Sequence, residues 1–276
     1  MAYKTILVHL NRACRCAAIL QPALQLARRH TAHVIGLYVQ TDVRTFYPVD
    51  GMGSIRVLEA DLAAEQKNAE TVAATFAKTT ADQPFTAEFR SIPATMRDHA
   101  ANALVHATTV DLIVASQNDP DWDRSPHLDF PERLILESGR PVLVVPYVGT
   151  YPVIGQTVVV AWKPGREAAR AVFNAIPIMK TAKLVHILQI AEGNQPVEPD
   201  TELAATLARH GIKANISTSQ AVGQSVGSEL LSRLFDLNAD LLVMGAYGHA
   251  RLREYVFGGA TRDLTQQMTV PTLFSH

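Results

Sequence analysis

The residues best placed to do chemistry are a set of glycines. Gly245-Ala246-Tyr247-Gly248 follows an apolar run at residues 241–244, and Gly258-Gly259-Ala260-Thr261 comes after nine intervening residues, leading into a helical pattern at 262–268. Glycine has no Cβ, so such a chain can turn tightly and lie close against a ligand. A glycine turn running into a helix N-terminus presents free N–H groups and the positive end of the helix dipole, which suits phosphate oxygens. The Thr261 hydroxyl could bind phosphate or cap the helix. The same pattern would also make a plain strand–loop–helix connection.

The elements that must hold these glycines come from an internal repeat. Residues 4–10 (KTILVHL) match 156–162 (QTVVVAW), 111–116 (DLIVAS) match 240–245 (DLLVMG), and 140–146 (RPVLVVP) match 270–275 (VPTLFS), in the same order and at nearly the same spacing. All six are continuous apolar runs rich in β-branched residues, the pattern of strands buried on both faces of a parallel sheet. Further strands are expected at 33–40, 85–91, 183–190 and 212–217, and amphipathic helices at 14–29, 55–76, 167–178 and 225–237. Strands alternating with helices argue for an α/β fold of two Rossmann-like domains, each a five-stranded parallel sheet flanked by helices. The domains are expected at residues 1–147 and 155–276. The linker is 147–155 (YVGTYPVIG), and the first half carries extra length around 41–53, a lid or a connecting loop.

Gly-x2-Gly-x9-Gly after a buried strand, within a β-α repeat ending in Pro-x-Leu, resembles the universal stress protein family. The resemblance covers both halves, so the chain is similar to a tandem universal stress protein. It implies ATP or another adenine nucleotide as cofactor, with Mg2+ accompanying it. Gly245, Gly248 and Gly258 would approach phosphates and ribose, Gly259, Ala260 and Thr261 would supply N–H and hydroxyl groups, and Met244 would lie at the strand end. The strand-one turn, Ala161-Trp162-Lys163, and Gln189 on strand two would complete the site. The sequence departs from the family in three places. Gly259 stands where a Ser or Thr is usual, Lys163 stands where strand one usually ends in Asp, and Gln189 stands where a Val often contacts adenine. Trp162 could stack on a base or pack at the sheet edge. Lys163 could attract phosphate or be a solvated loop residue.

The first half has no glycine pair after its fourth strand, Asn11 replaces the strand-one Asp, and Asp129 and Glu132 would repel phosphate. It is expected to bind no ATP. The resemblance further implies an intramolecular pseudo-dimer whose fifth strands, 141–146 and 271–275, pair antiparallel, with a homodimer as a further association.

Composition sets the outer limits. The chain has 276 residues, 25 Lys+Arg against 26 Asp+Glu and two cysteines. The near-zero charge argues against a nucleic-acid partner. Cys14 and Cys16 are too close for an unstrained mutual disulfide. Without a secretory segment or a long apolar run, the chain is expected to be cytoplasmic, with no membrane partner. The ten histidines and the run Asp119-Pro120-Asp121-Trp122-Asp123 suggest no metal site, and Asn215-Ile216-Ser217 fits a glycosylation sequon inside an expected strand. No nucleophile elbow, zincin or Walker sequence is present. A nucleotide-binding stress-response module is therefore the leading expectation, and no catalytic residue is assigned. A weak ATPase using Lys163, Thr261 and Arg251 or Arg253 ranks below it, beside an interaction module that binds no nucleotide.

Overall fold

A computed structural model describes residues 2–40, 52–93, 98–120, 130–193, 196–248 and 259–276, with backbone only for 52–57, 259, 260, 262 and 263. Its order in the first half is β1 (Thr5–His9), α1 (Ala13–His30), β2 (His33–Val39), α2 (Met52–Thr80), β3 (Ala87–Ile92), α3 (His99–Ala107), β4 (Leu112–Ser116), α4 (Phe130–Glu137) and β5 (Val142–Val145). The second half repeats it with β6 (Thr157–Ala161), α5 (Arg166–Met179), β7 (Leu184–Glu192), α6 (Thr201–Arg209), β8 (Asn215–Ala221), α7 (Val226–Asp236), β9 (Leu241–Gly245), α8 (Gly259–Gln267) and β10 (Thr272–Ser275).

The ten strands form one sheet in the order β3-β2-β1-β4-β5-β10-β9-β6-β7-β8. Pairing is parallel within each half and antiparallel once, where β5 meets β10 with Val144 opposite Thr272 and Val142 opposite Phe274. Both faces are covered, so central strands are apolar on both sides. Ile6 and Val8 face a core shared with α1, α2, α5 and α6, and Leu7 faces a second core with α3, α4, α7 and α8. Val158, Val160 and Val159 alternate in the same way. The α/β class read from the runs is the fold observed.

Matching residues of the repeat make matching bonds. The Asp111 carboxylate accepts the backbone N–H of Lys4 at 2.6 Å and of Thr5 at 2.9 Å, and Asp240 accepts that of Gln156 at 3.0 Å. Each clamps the fourth strand to the start of the first. The third strand of the second half lies further along than residues 212–217 suggest. It is an edge strand of mostly polar residues (NISTSQA), so no apolar run marks its span.

The segment between β5 and β6 is docked. Ile154 is fully buried, and its N–H bonds Gln25 of α1 at 2.9 Å. Buried Gln117, just after β4, links the halves as well: its amide N–H donates to the Thr265 carbonyl of α8 at 2.9 Å and its Oε1 accepts from the Tyr147 N–H at 3.1 Å. A buried polar group that loses its partner costs about 1–3 kcal/mol. Gln117→Ala is expected to lower the unfolding free energy by about 2 kcal/mol, read as a lower urea midpoint with an unchanged slope.

Candidate functional site

Adjacent β6 and β9 end at the same sheet edge, with Ala161 beside Met244 in register. This edge is where a doubly wound sheet presents a ligand crevice. The residues singled out from sequence reach it in three separate environments.

The first is a structural knot under α6. Trp162 is half-buried, and its indole N–H donates to the Asp200 carboxylate at 2.7 Å. Buried Gln189 accepts the Asp200 backbone N–H at 2.7 Å. Asp200 is the N-cap of α6 and accepts from the Leu203 N–H at 3.2 Å, a cap that satisfies an otherwise unpaired helix donor. Trp162, first among these donors, and the helix N–H groups hold the Asp200 carboxyl below its ordinary range. The second environment is the opposite face, where Met244 is buried in the core under α7 and α8, Ala161 packs against that core, and Thr261 is buried in the first turn of α8. Gly259 and Ala260 open that helix; Gly258, Arg251 and Arg253 lie outside the described residues. So do residues 41–51 of the longer first-half connection, Asp129, and Asp121 to Asp123.

The third environment is the glycine loop itself. A Cβ on Gly245 would stand 2.4 Å from the Ala168 nitrogen and 2.6 Å from the Glu167 carbonyl carbon. The absent side chain is thus what lets the first turn of α5 pack directly on the end of β9. At Gly248 a Cβ would stand 2.9 Å from Glu167 Oε2. Glu167 was not among the residues marked by motif spacing, yet it is buried, 8% exposed, and faces the loop. It pairs with Arg166 at 2.8 Å. Burial alone would raise its carboxyl, but its own backbone N–H, the Arg166 guanidinium and His276 outweigh that and hold it below the ordinary range. The N-cap of α5, Gly165, gives no side-chain cap, so Glu167 is the anion at this helix N-terminus. The only sequence signal for it was an acidic residue in a first helical turn. Lys163 is 73% exposed and lies 4.0 Å from Glu192.

The equivalent mouth in the first half is closed differently. Strand register makes Asn11 the counterpart of Lys163, Tyr38 of Gln189, Ser116 of Gly245 and Asp119 of Gly248. Asp119 meets Arg12 at 2.5 Å across the mouth. Tyr38 donates to buried Glu65 at 2.6 Å and accepts from Asn68 at 2.7 Å, and Asn68 also bonds the Ala13 N–H and the Asn11 carbonyl. Helix α2 thereby fills the space over β2. His9 is 3% exposed, with its ring 4.4 Å from that of Phe130.

Of this loop, Gly245 and Gly248 lie among the described residues, and the Glu167 carboxylate stands directly in front of Gly248, where an anion would meet it.

No family model matches the sequence, and no curated protein matches it. Solved structures do match. A universal stress protein from Archaeoglobus fulgidus aligns over 98% of this chain and 97% of its own, with a TM-score of 0.66 and 14% identity. A putative universal stress protein from Pseudomonas aeruginosa aligns over 99% and 93%, with a TM-score of 0.62 and 15% identity. A functionally unknown protein from the same species aligns over 99% and 92%, with a TM-score of 0.61 and 14% identity. The chain therefore has the fold seen in universal stress proteins along its whole length.

Two measurements follow. Gly245→Ala forces the α5 backbone away from β9 and is expected to cost about 1–3 kcal/mol in denaturant unfolding, with or without ligand. Burial, then the nearby His99, pushes His9 down to about 3. A histidine protonated more readily when unfolded contributes stability that is complete above about pH 6.5 and falls as the pH drops toward 3. His9→Leu is expected to flatten that part of the stability–pH curve, measured by urea titration at half-unit steps.

Proposed function

We propose that the chain is a non-catalytic regulatory module of the universal stress protein kind, built as two domains, residues 1–147 and 155–276, packed as an intramolecular pseudo-dimer. Its second domain takes an adenine nucleotide, with Mg2+ accompanying it, at the carboxyl ends of β6 and β9. The observation that carries this reading is the difference between register-equivalent positions: Ser116 and Asp119 occupy the first mouth, whereas Gly245 and Gly248 leave backbone at the second. The likeness of fold supports it.

The residues proposed to face the nucleotide are Gly245, Gly248, Gly258, Gly259, Ala260 and Thr261 on the phosphate side, with Ala161, Trp162, Lys163, Gln189 and Met244 around base and ribose. Trp162 would offer its ring, since its N–H is held by Asp200. A cation near the mouth, Lys163 or Arg166, would meet phosphate charge. No carboxylate is proposed as a general base, so turnover is not part of the reading. None of the described helices is long and apolar enough to cross a membrane.

A second reading, a protein-interaction module without nucleotide, draws on the internal commitment of Trp162, Gln189 and Glu167. Titration calorimetry and thermal shift with ATP and AMP, each with Mg2+, separate the two. Specific binding stabilises a protein by about 2.7 kcal/mol at a hundred times Kd, so a rising melting temperature with measurable heat is expected. Absence of both at millimolar nucleotide would overturn the nucleotide reading and favour the interaction module.

A further inference from the structure

Both halves place a carboxylate–guanidinium pair in the mouth between the first-strand turn and the fourth-strand loop, but they build it from different positions. In the first half the carboxylate is Asp119, on the loop, and the cation is Arg12, on the turn. In the second half the loop position is Gly248, and the carboxylate is Glu167, reaching back from α5 with Arg166 beside it. A buried carboxylate against a glycine loop, at an uncapped helix N-terminus, occupies the place that a ligand anion would take.

Resting on the nucleotide reading above, we propose that Glu167 is a built-in competitor of the ligand's phosphate: its carboxylate seats on the Gly245–Gly248 loop and must swing out before a phosphate can enter. The surroundings favour an anion there. Gly165 supplies no side-chain cap, the Glu167 N–H is turned to its own carboxylate, and Arg166 lies at 2.8 Å. Arg166 is largely exposed and follows Pro164-Gly165, a turn of exposed residues. The guanidinium can therefore stay at the mouth and pass from Glu167 to phosphate. With the carboxylate in place, two like charges would have to share one position, which disfavours both being ionised there. The site thus selects against phosphate until Glu167 leaves, and a ligand without phosphate meets no such opposition.

The test compares the natural chain with Glu167→Gln and Glu167→Ala. Each is titrated with ATP, inorganic pyrophosphate and adenosine by calorimetry, after circular dichroism has shown which variants fold. Removal of the charge is expected to tighten ATP and pyrophosphate at least ten-fold and to leave adenosine within two-fold. Glutamine keeps the shape and alanine removes it, so a variant that folds suffices to decide. Equal ATP affinity in the natural chain and the variants would overturn the competitor role while leaving nucleotide binding intact. Weaker ATP binding in the variants would overturn it by making Glu167 a ligand of the nucleotide. Absence of ATP and pyrophosphate binding in every form would overturn both this role and the nucleotide reading. Binding in the variants alone would uphold the competitor and make the natural chain a closed form.

Discussion

The antiparallel pairing of β5 with β10 is the constraint on which the rest of the molecule depends. Each half alone would present a short fifth strand at its edge, Val142–Val145 or Thr272–Ser275, buried along its length in the intact chain, with unpaired backbone groups. Pairing these two edges satisfies both at once and makes the core continuous across them. Because every other pairing is parallel, this single reversal sends the strands of the two halves in opposite directions. The carboxyl ends of β1 and β4 therefore lie at one edge of the sheet and those of β6 and β9 at the other. The strand ends of the two halves, built on the same plan, thus face opposite ways.

Close packing, rather than open space, then shapes what each crevice can do. In the second half the first turn of α5 rests on Gly245, and in the first half α2 is tied down over β2 through Tyr38, Glu65 and Asn68. The same demand for a dense interior that stabilises the sheet brings these described residues against the strand ends.

Much of the architecture was legible in the order of residues. The central strands announce themselves because burial on both faces demands unbroken apolar runs, and the paired Asp111 and Asp240 mark the repeat because each clamps the same two strands. Edge strand β8 was expected a few residues too early, since one flank has no neighbouring strand and its residues are mostly polar. At the site the glycines were legible but their neighbour was not. A glycine signals that something comes close without saying what, and here α5 comes close to Gly245. Nor does any spacing rule connect Trp162 to Asp200, or Glu167 to Gly248, because these contacts arise from how α5 and α6 are laid across the sheet. Helix periodicity shows which face of a helix is buried and leaves open where its first turn lands.

Covalent continuity between the halves has a further consequence. In a symmetric dimer of two identical chains, every residue appears twice, and any change at one crevice is imposed on the other. Here the two sets of strand ends are encoded separately, while the β5–β10 pairing joins them in one sheet. Asp119 could be fixed on one loop and Gly248 kept on the other without compromise. Each half can therefore change at its own strand ends without imposing that change on the other.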